Sequence, residues 1–439
     1  MTSGWNTLNF STVKNAYRFR ENFRSIFVRP NDNYAAIDGL RGLSFVWMFM
    51  FHCFLYAKYH FGYDKLLSLI ADSPFALDWL WNADKAVDTF FFLSGFLISG
   101  LLFREHQKSG DIKLLRFYGR RYLRLTPVYV TAIAIFWMIR GPHWQNLWQN
   151  LLYINNFFPY ETMAMVWTWT LAVEEQFYLI FPLTVLFLLN NNWFYKTDSR
   201  INLGVGLLIL FALSFVIRAW LVYSDPLVRG IDMSVLVSDY EGLHHYSTVM
   251  YDNLYTRYGA FMCGIFIAYL NTCYAKEVGE FLQKRFRVLL LNIIFLGVFL
   301  IIIWLPVTDS SVTFSQGFKD FYIIANRNIY SLCLAWIILL CVNKDNSIRW
   351  INSFFSYKGF YPLGQLSYSM YIFHIVFISF LMFRVRWLTD YHYIAVDDIT
   401  PLFMLGFCAL ALLMTFLFSI VTYVLIEKPF MNMRPRREF

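Results

Sequence analysis

The sequence predicts an all-α protein, a polytopic membrane helix bundle of about ten transmembrane helices with both termini in the cytoplasm. Three observations predict it. Hydrophobic residues make up 58% of the 439 and charged residues only 15%, where soluble domains carry about 25% charge. Apolar runs of about 20 residues recur along the chain, each long enough to cross the hydrocarbon core of a bilayer. The basic residues alternate by side. About 25 of the 37 Lys and Arg fall in the N-terminal arm, the even-numbered connections and the tail, and about 8 in the other connections, which puts the first set inside. The net charge of +8 is therefore a topology signal. No nucleic-acid partner is expected.

Residues 1–35 form a basic amphipathic arm. Phe10, Val13, Tyr17, Phe23, Ile26 and Phe27 interleave with Lys14, Arg18, Arg20, Arg24 and Arg29, a pattern that suits an anionic membrane face. The arm has no apolar core or small-residue cleavage site, so no cleavable signal is expected. The membrane domain follows over 36–430. Its spans are expected near 36–56, 87–103, 122–140, 171–190, 203–223, 254–273, 288–305, 321–342, 365–387 and 401–425. The apolar piece Leu147–Phe158 is too short to cross. The connection 224–253 is acidic, with Asp225, Asp232, Asp239, Glu241 and Asp252 against Arg229. Residues 431–439 are a basic tail with Arg434, Arg436 and Arg437. No appended soluble domain is expected.

Ionisable side chains inside a span are costly and mark function. The first span carries Arg41 and His52 beyond its opening Asp38. Eleven residues at about 100° each make roughly three turns, so both lie on one helix face. They sit roughly 16 Å apart along the axis, the cation near a surface and the imidazole well inside. The alternative is a snorkelling Arg and a hydrogen-bonded core His.

Further candidates lie along the chain. Asp88 opens the second span, as a functional acid or as a helix cap. Arg120, Arg121 and Arg124 cluster before Pro127, as a topology anchor or as a phosphate site. Glu174 and Glu175 sit just inside the fourth span, where a carboxylate can orient an imidazole. Trp169 is either an interfacial belt residue or a platform for a sugar ring. Arg257 opens the sixth span and could hold an anionic group. His374 lies mid-span, near the hydroxyls of Ser367, Ser369 and Tyr371. Glu427 and Lys428 close the last span, where a snorkelling ion pair is expected.

Other chemistries lack their residues. The six Cys residues lie in or beside apolar spans and form no CxxC pair, so neither a disulfide framework nor a zinc site is indicated. Cys53 follows His52, but helical neighbours point about 100° apart. His244 and His245 are adjacent without a third ligand pattern, so no metal is expected. There is no Walker loop, Rossmann glycine motif, GxSxG or HExxH.

In order along the chain, the Arg41–His52 pair and the stretches VDTFFFLSGFLI, RRYLR-TP, WTLAVEEQFY, SYSMYIFH and EKPF resemble the acyltransferase-3 family of integral membrane acyltransferases. The resemblance covers about residues 34–430. It implies acyl transfer, usually of acetyl, from cytoplasmic acetyl-CoA or another acyl-CoA. The implied acceptors are hydroxyls of a glycan or lipid-linked glycan of the cell envelope, such as lipopolysaccharide, and the implied location is a bacterial inner membrane. By motif match Arg41, His52, the Arg120–Arg121–Arg124 cluster and Glu174 inherit functional roles, with Glu175 as a further carboxylate. Some members carry an SGNH esterase-like domain; this chain is expected to work without one.

On this basis Arg41, Arg120, Arg121 and Arg124 would bind the donor phosphates. His52 would be the general base, with Glu174 or Glu175 orienting it. An acyl-His intermediate is an open variant. Asp88, Trp169, Arg257 and His374 would line the acceptor site, and membrane lipids would surround the bundle. The rival is a transporter of exported sugars or lipids, which would move substrate without consuming acyl-CoA and would often show an inverted repeat. None is visible in the sequence.

Overall fold

The structure is a computed structural model that describes residues 15–30, 34–190, 197–231, 240–308, 312–343 and 348–434. Phe10, Val13, Lys14, Asp232, Asp239, Arg436 and Arg437 lie outside the described residues. Regular structure among the described residues is entirely helical. The main helices in chain order are α1 (Phe19–Phe27), α2 (Ala35–Phe61), α3 (Ala86–Ser109), α4 (Leu114–Met138) and α5 (Trp169–Asn190). They continue with α6 (Thr197–Ser224), α7 (Leu254–Cys273), α8 (Arg285–Trp304), α9 (Gln316–Val342), α10 (Tyr361–Asp390) and α11 (Pro401–Thr422).

A helix stands at each of the ten expected spans. Eight of the described helices are long and apolar enough to cross a membrane; a ninth is the pair Leu254–Cys273 and Ala275–Leu282, bent by 98°. The remaining one, α4, is 25 residues long but carries Arg116, Arg120, Arg121 and Arg124 in its first half, which lowers its hydropathy. The Leu147–Phe158 piece breaks into a five-residue helix and a 3-10 turn, so it does not cross. Caps fall where the sequence offers them. Ser315 accepts from the Phe318 N–H at the start of α9. Thr400 accepts from the Phe403 N–H ahead of Pro401 on α11, meeting donors that a helix leaves unsatisfied.

The chain divides into two compact units. The first comprises Met1–Ala83, Lys113–Ile139 and Phe355–Phe439, and the second Asp84–Ile112 and Arg140–Phe354.

In the first unit, α2 lies against α10 at glycines. A Cβ on Gly39 would overlap the Phe355 carbonyl, one on Gly364 would overlap the Asp38 carbonyl, and one on Gly42 would come within 3.0 Å of Gly364 N. Small residues are what let membrane helices approach this closely. Ten residues on from Gly42 is His52, and ten on from Gly364 is His374. Those two also touch, so α2 and α10 run parallel and in step over about 15 Å.

The second unit is knit by α3 and α7. Here Gly95 meets the Phe261 carbonyl and Gly264 the Phe92 carbonyl. Arg218, fully buried on α6, donates to the main-chain carbonyls of Ile323, Ile324 and Thr256. Apolar solvent cannot supply those acceptors, so the protein must. Between α6 and α7, Asp225 caps a short helix by accepting from the N–H groups of Leu227 and Val228, and lies 2.7 Å from His245 Nε2.

Two predictions follow from these contacts. Gly364→Leu should lower the thermal stability of the detergent-solubilised protein by about 1–3 kcal/mol through overpacking, and Gly206→Leu, where a Cβ meets nothing within 4 Å, should not. Partial burial raises the Asp225 carboxyl, but the His245 hydrogen bond and the helix N–H groups outweigh it and hold the group below its ordinary value. A depressed carboxylate stabilises above its unfolded pKa and loses that contribution as pH falls through the folded value. Asp225→Asn should therefore destabilise at pH 7, and the gap in melting temperature should close below about pH 4.

Candidate active site

The centre of the first unit is an imidazole pair. His52 Nδ1 and His374 Nε2 are 2.8 Å apart, with ring planes only 17° from parallel. His374 is fully buried between Phe45 and Phe49, whose rings lie 6.1 and 6.2 Å from it. His52 is half-buried and forms the accessible side of the pair. His374 Nδ1 bonds the Tyr371 carbonyl one turn earlier on α10. A carbonyl only accepts, so His374 Nδ1 carries a proton. A neutral His374 then offers only a lone pair at Nε2. His52 must donate to it from Nδ1, which leaves the lone pair of His52 at Nε2.

Arg41 lies on the same unbroken helix as His52 and is half-buried. Asp38 beside it is ion-paired to Arg29 at 3.3 Å and lies in the field of Arg41 and Arg124 as well. Arg120 is buried, and Arg121 stacks over Phe117 at 6.0 Å. Glu427 belongs to the same end of the unit. It is 2% exposed, accepts from Ser369 Oγ at 2.6 Å, and faces Arg124, Arg41 and Arg434. It is therefore not the snorkelling pair expected at the end of the last span: a π-type turn over Tyr423–Glu427 rotates the carboxylate inward.

The second unit holds a separate charged cluster. Asp88 sits in the first turn of α3 and makes no cap bond. Its carboxylate lies 2.7 Å from Arg327 Nη1 and 3.3 Å from Arg257 Nη1. Arg327 also grips Asp84, which lies 3.2 Å from Lys85 Nζ. The guanidinium of Arg257 stands 5.2 Å from the Trp169 ring and 4.1 Å from the Tyr251 ring. Trp169 is buried edge-on to Phe91 and Tyr251, which removes it from any lipid-facing belt. Asp88, Trp169 and Arg257, three of the four expected acceptor residues, thus stand together; His374 belongs to the imidazole pair.

Glu174 is half-buried. Its carboxylate accepts from Ser94 Oγ at 3.0 Å and Tyr178 OH at 2.8 Å, and Ser94 and Tyr178 lie 2.9 Å apart, closing a three-membered polar ring between α3 and α5. Glu175 is half-buried next to it. His245 pairs with Asp225, and His244 lies 4.0 Å from Glu161. Among the described residues no group of three metal-ligating side chains forms. None of the six cysteines forms a disulfide, and Cys53 is fully buried.

Several members of these clusters carried no distinguishing signal in the sequence. Arg327 was visible only as one more cation inside a span. Asp84, Tyr251 and Asp38 sit beside expected residues, but nothing in their spacing names a partner on another helix.

A membrane bundle that spends this many ionisable side chains inside its helices is built for chemistry or transport. The chain belongs to the acyltransferase-3 family: the family's acyltransferase domain matches residues 34–424. Among similar proteins is the nose resistant to fluoxetine protein 6 of Caenorhabditis elegans, 27% identical over 78% of this chain and 45% of its own length. A putative O-acetyltransferase of Staphylococcus aureus (strain COL) is 26% identical over 80% of this chain and 53% of its own. O-acetyltransferase OatA of Staphylococcus aureus is 27% identical over 69% and 47% respectively. The chain thus spans about half the length of the curated relatives it matches. No solved structure matches it significantly.

The buried ions make a stability prediction. Asp88→Asn leaves Arg257 without its carboxylate and Arg327 with Asp84 alone, and should cost about 3–5 kcal/mol. Adding Arg257→Leu should recover part of that loss, read as melting temperature in one detergent.

Proposed function

We propose that the protein is a membrane O-acyltransferase that moves an acyl group, acetyl by preference, from acyl-CoA to a hydroxyl of a glycan or lipid-linked glycan. The observation that carries this is the tautomer chain: Tyr371 carbonyl, His374, His52. It presents a basic nitrogen at the accessible end of a buried pair. Further support comes from the Arg41–His52 phase on one helix and from the O-acetyltransferase names of two relatives.

His52 Nε2 takes the proton of the acceptor hydroxyl as the oxygen attacks the thioester carbonyl. The C–S bond then breaks, and the sulfur leaves with that proton, returning His52 to neutrality. In between, His52 is an imidazolium, and its Nδ1–H···Nε2 bond to His374 strengthens as charge develops. His374 is a positioning residue: it fixes which nitrogen is basic. Arg41, Arg120, Arg121 and Arg124 hold the donor phosphates, since guanidinium groups match phosphate oxygens with paired donors. By the positive-inside rule that end faces the acyl-CoA-bearing compartment. Asp88, Trp169 and Arg257 hold the acceptor, and Glu174 and Glu175 supply carboxylates to the reaction. A nematode relative means that the membrane need not be a bacterial inner membrane.

The test uses the full chain in lipid nanodiscs with acetyl-CoA and a glycan-lipid extract, following CoA release and acyl incorporation. His52→Ala should lower acyl transfer by about 10²–10⁴-fold while CoA binding persists. His374→Leu should lower kcat on the order of 10²-fold with KM little changed, and His374→Gln, whose amide oxygen can accept from His52, should recover part of it. Arg41→Lys should raise the donor KM roughly tenfold, the loss of one charge-assisted bond. Full acyl transfer by His52→Ala, or substrate translocation without CoA release, would overturn the assignment.

A further inference from the structure

Arg29 lies ahead of the family region, which begins at residue 34, yet it reaches into the Arg-rich end of the first unit. Its Nη1 donates to the Ser356 carbonyl at 3.1 Å, its guanidinium stands 5.2 Å from the Tyr361 ring, and its Nε lies 3.3 Å from Asp38 Oδ2. Both partners of that ion pair are mostly buried, with side chains 16% and 12% exposed.

The arm that carries Arg29 is built to stay docked. On α1 the inward face is Asn22 and Ile26, 1% and 0% exposed. Asn432, in the chain's last described turn, donates to Asn22 Oδ1 and to the Ala16 carbonyl, both at 3.0 Å. Tyr361 OH donates to the Ser25 carbonyl, and Ser25 Oγ lies 3.3 Å from Tyr423 OH. The adjoining face exposes Phe19, Phe23 and Phe27 at successive turns, an apolar stripe suited to the bilayer boundary. The arm is therefore clamped by protein along one face and presents an apolar stripe beside it, and it ends by placing one guanidinium on one carboxylate.

The carboxylate matters because of its neighbours. Asp38 is three residues before Arg41, one turn away on the same helix face, and faces Arg124 as well. An unneutralised Asp38 would compete with an anionic ligand for both cations. Arg41, Arg29 and Arg124 all act on that charge, and Arg29 is the one ion-paired to it from the arm, so without Arg29 the other two would offset Asp38 alone. Arg29 Nη2 is buried with no hydrogen-bond acceptor among the described residues, so one donor of the guanidinium is unused.

We infer that the N-terminal arm is part of the donor site: Arg29 takes a share of the Asp38 charge and so keeps the net charge around Arg41 and Arg124 positive for the phosphates of the donor. This rests on the reading of that end as the acyl-CoA site and adds a residue that the family domain does not contain.

The experiment measures acetyl-CoA KM, kcat and CoA affinity for the full chain in nanodiscs. Arg29→Ala is expected to raise KM and the CoA dissociation constant about tenfold. Asp38→Asn in that background is expected to bring both back to within about twofold of the parent. Arg29→Lys keeps the charge and is expected to stay within about twofold by itself. An unchanged KM in Arg29→Ala overturns the inference. So does a failure of Asp38→Asn to rescue, or a loss in Arg29→Lys equal to that in Arg29→Ala, since either means that Arg29 only fastens the arm. Parent protein that neither binds CoA nor consumes acetyl-CoA would instead strike the donor reading itself, and this inference with it.

Discussion

A main-chain carbonyl can accept a hydrogen bond but never donate one. That asymmetry at Tyr371 governs the candidate site. It fixes the proton on His374 Nδ1, which makes His374 Nε2 an acceptor, and so fixes the proton on His52 Nδ1. A second imidazole relays the polarity of the backbone to the first. The relay also suits its surroundings: a neutral partner adds no charge to a buried, aromatic-lined position, where an isolated carboxylate would be costly.

The pair exists only because α2 and α10 run parallel and in step. The glycine contacts near Gly42 and Gly364 set both the distance and the register, and the two histidines sit equally far beyond them. Replacing one glycine with a larger residue would push the helices apart and separate the rings. Helix packing and proton placement are thus one feature. The same logic operates in the second unit, where Gly95 and Gly264 bring α3 and α7 together and set Asp88 against Arg257.

Much of this was legible in the sequence. Apolar runs located a helix for every expected span, because in a bilayer the backbone must satisfy itself within each segment. The phase of Arg41 and His52 follows from helical geometry alone, and α2 is one continuous helix through both. What could not be read was partnership. His374 drew attention as a mid-span histidine, but nothing in one sequence says that its helix lies beside His52. The position of Asp88 suits a cap and a site alike, and only Arg257 and Arg327 on other helices decide for the ion pair. Trp169 has the look of a belt residue until its burial is seen. Glu427 stands near a surface by position, but a local π-type turn carries it inside. In each case the missing information is which helices are neighbours, and periodicity within one helix does not contain it.

The central claim is a proton assignment, and nitrogen chemical shifts report it directly. Solid-state NMR of the full chain in bilayers, with ¹⁵N-labelled histidine and assignment by His52→Gln and His374→Gln, distinguishes the two neutral tautomers. The account requires both His374 and His52 to carry their proton on Nδ1 in the resting protein. A resting His52 protonated at Nε2 would place the lone pair on the buried side and contradict it.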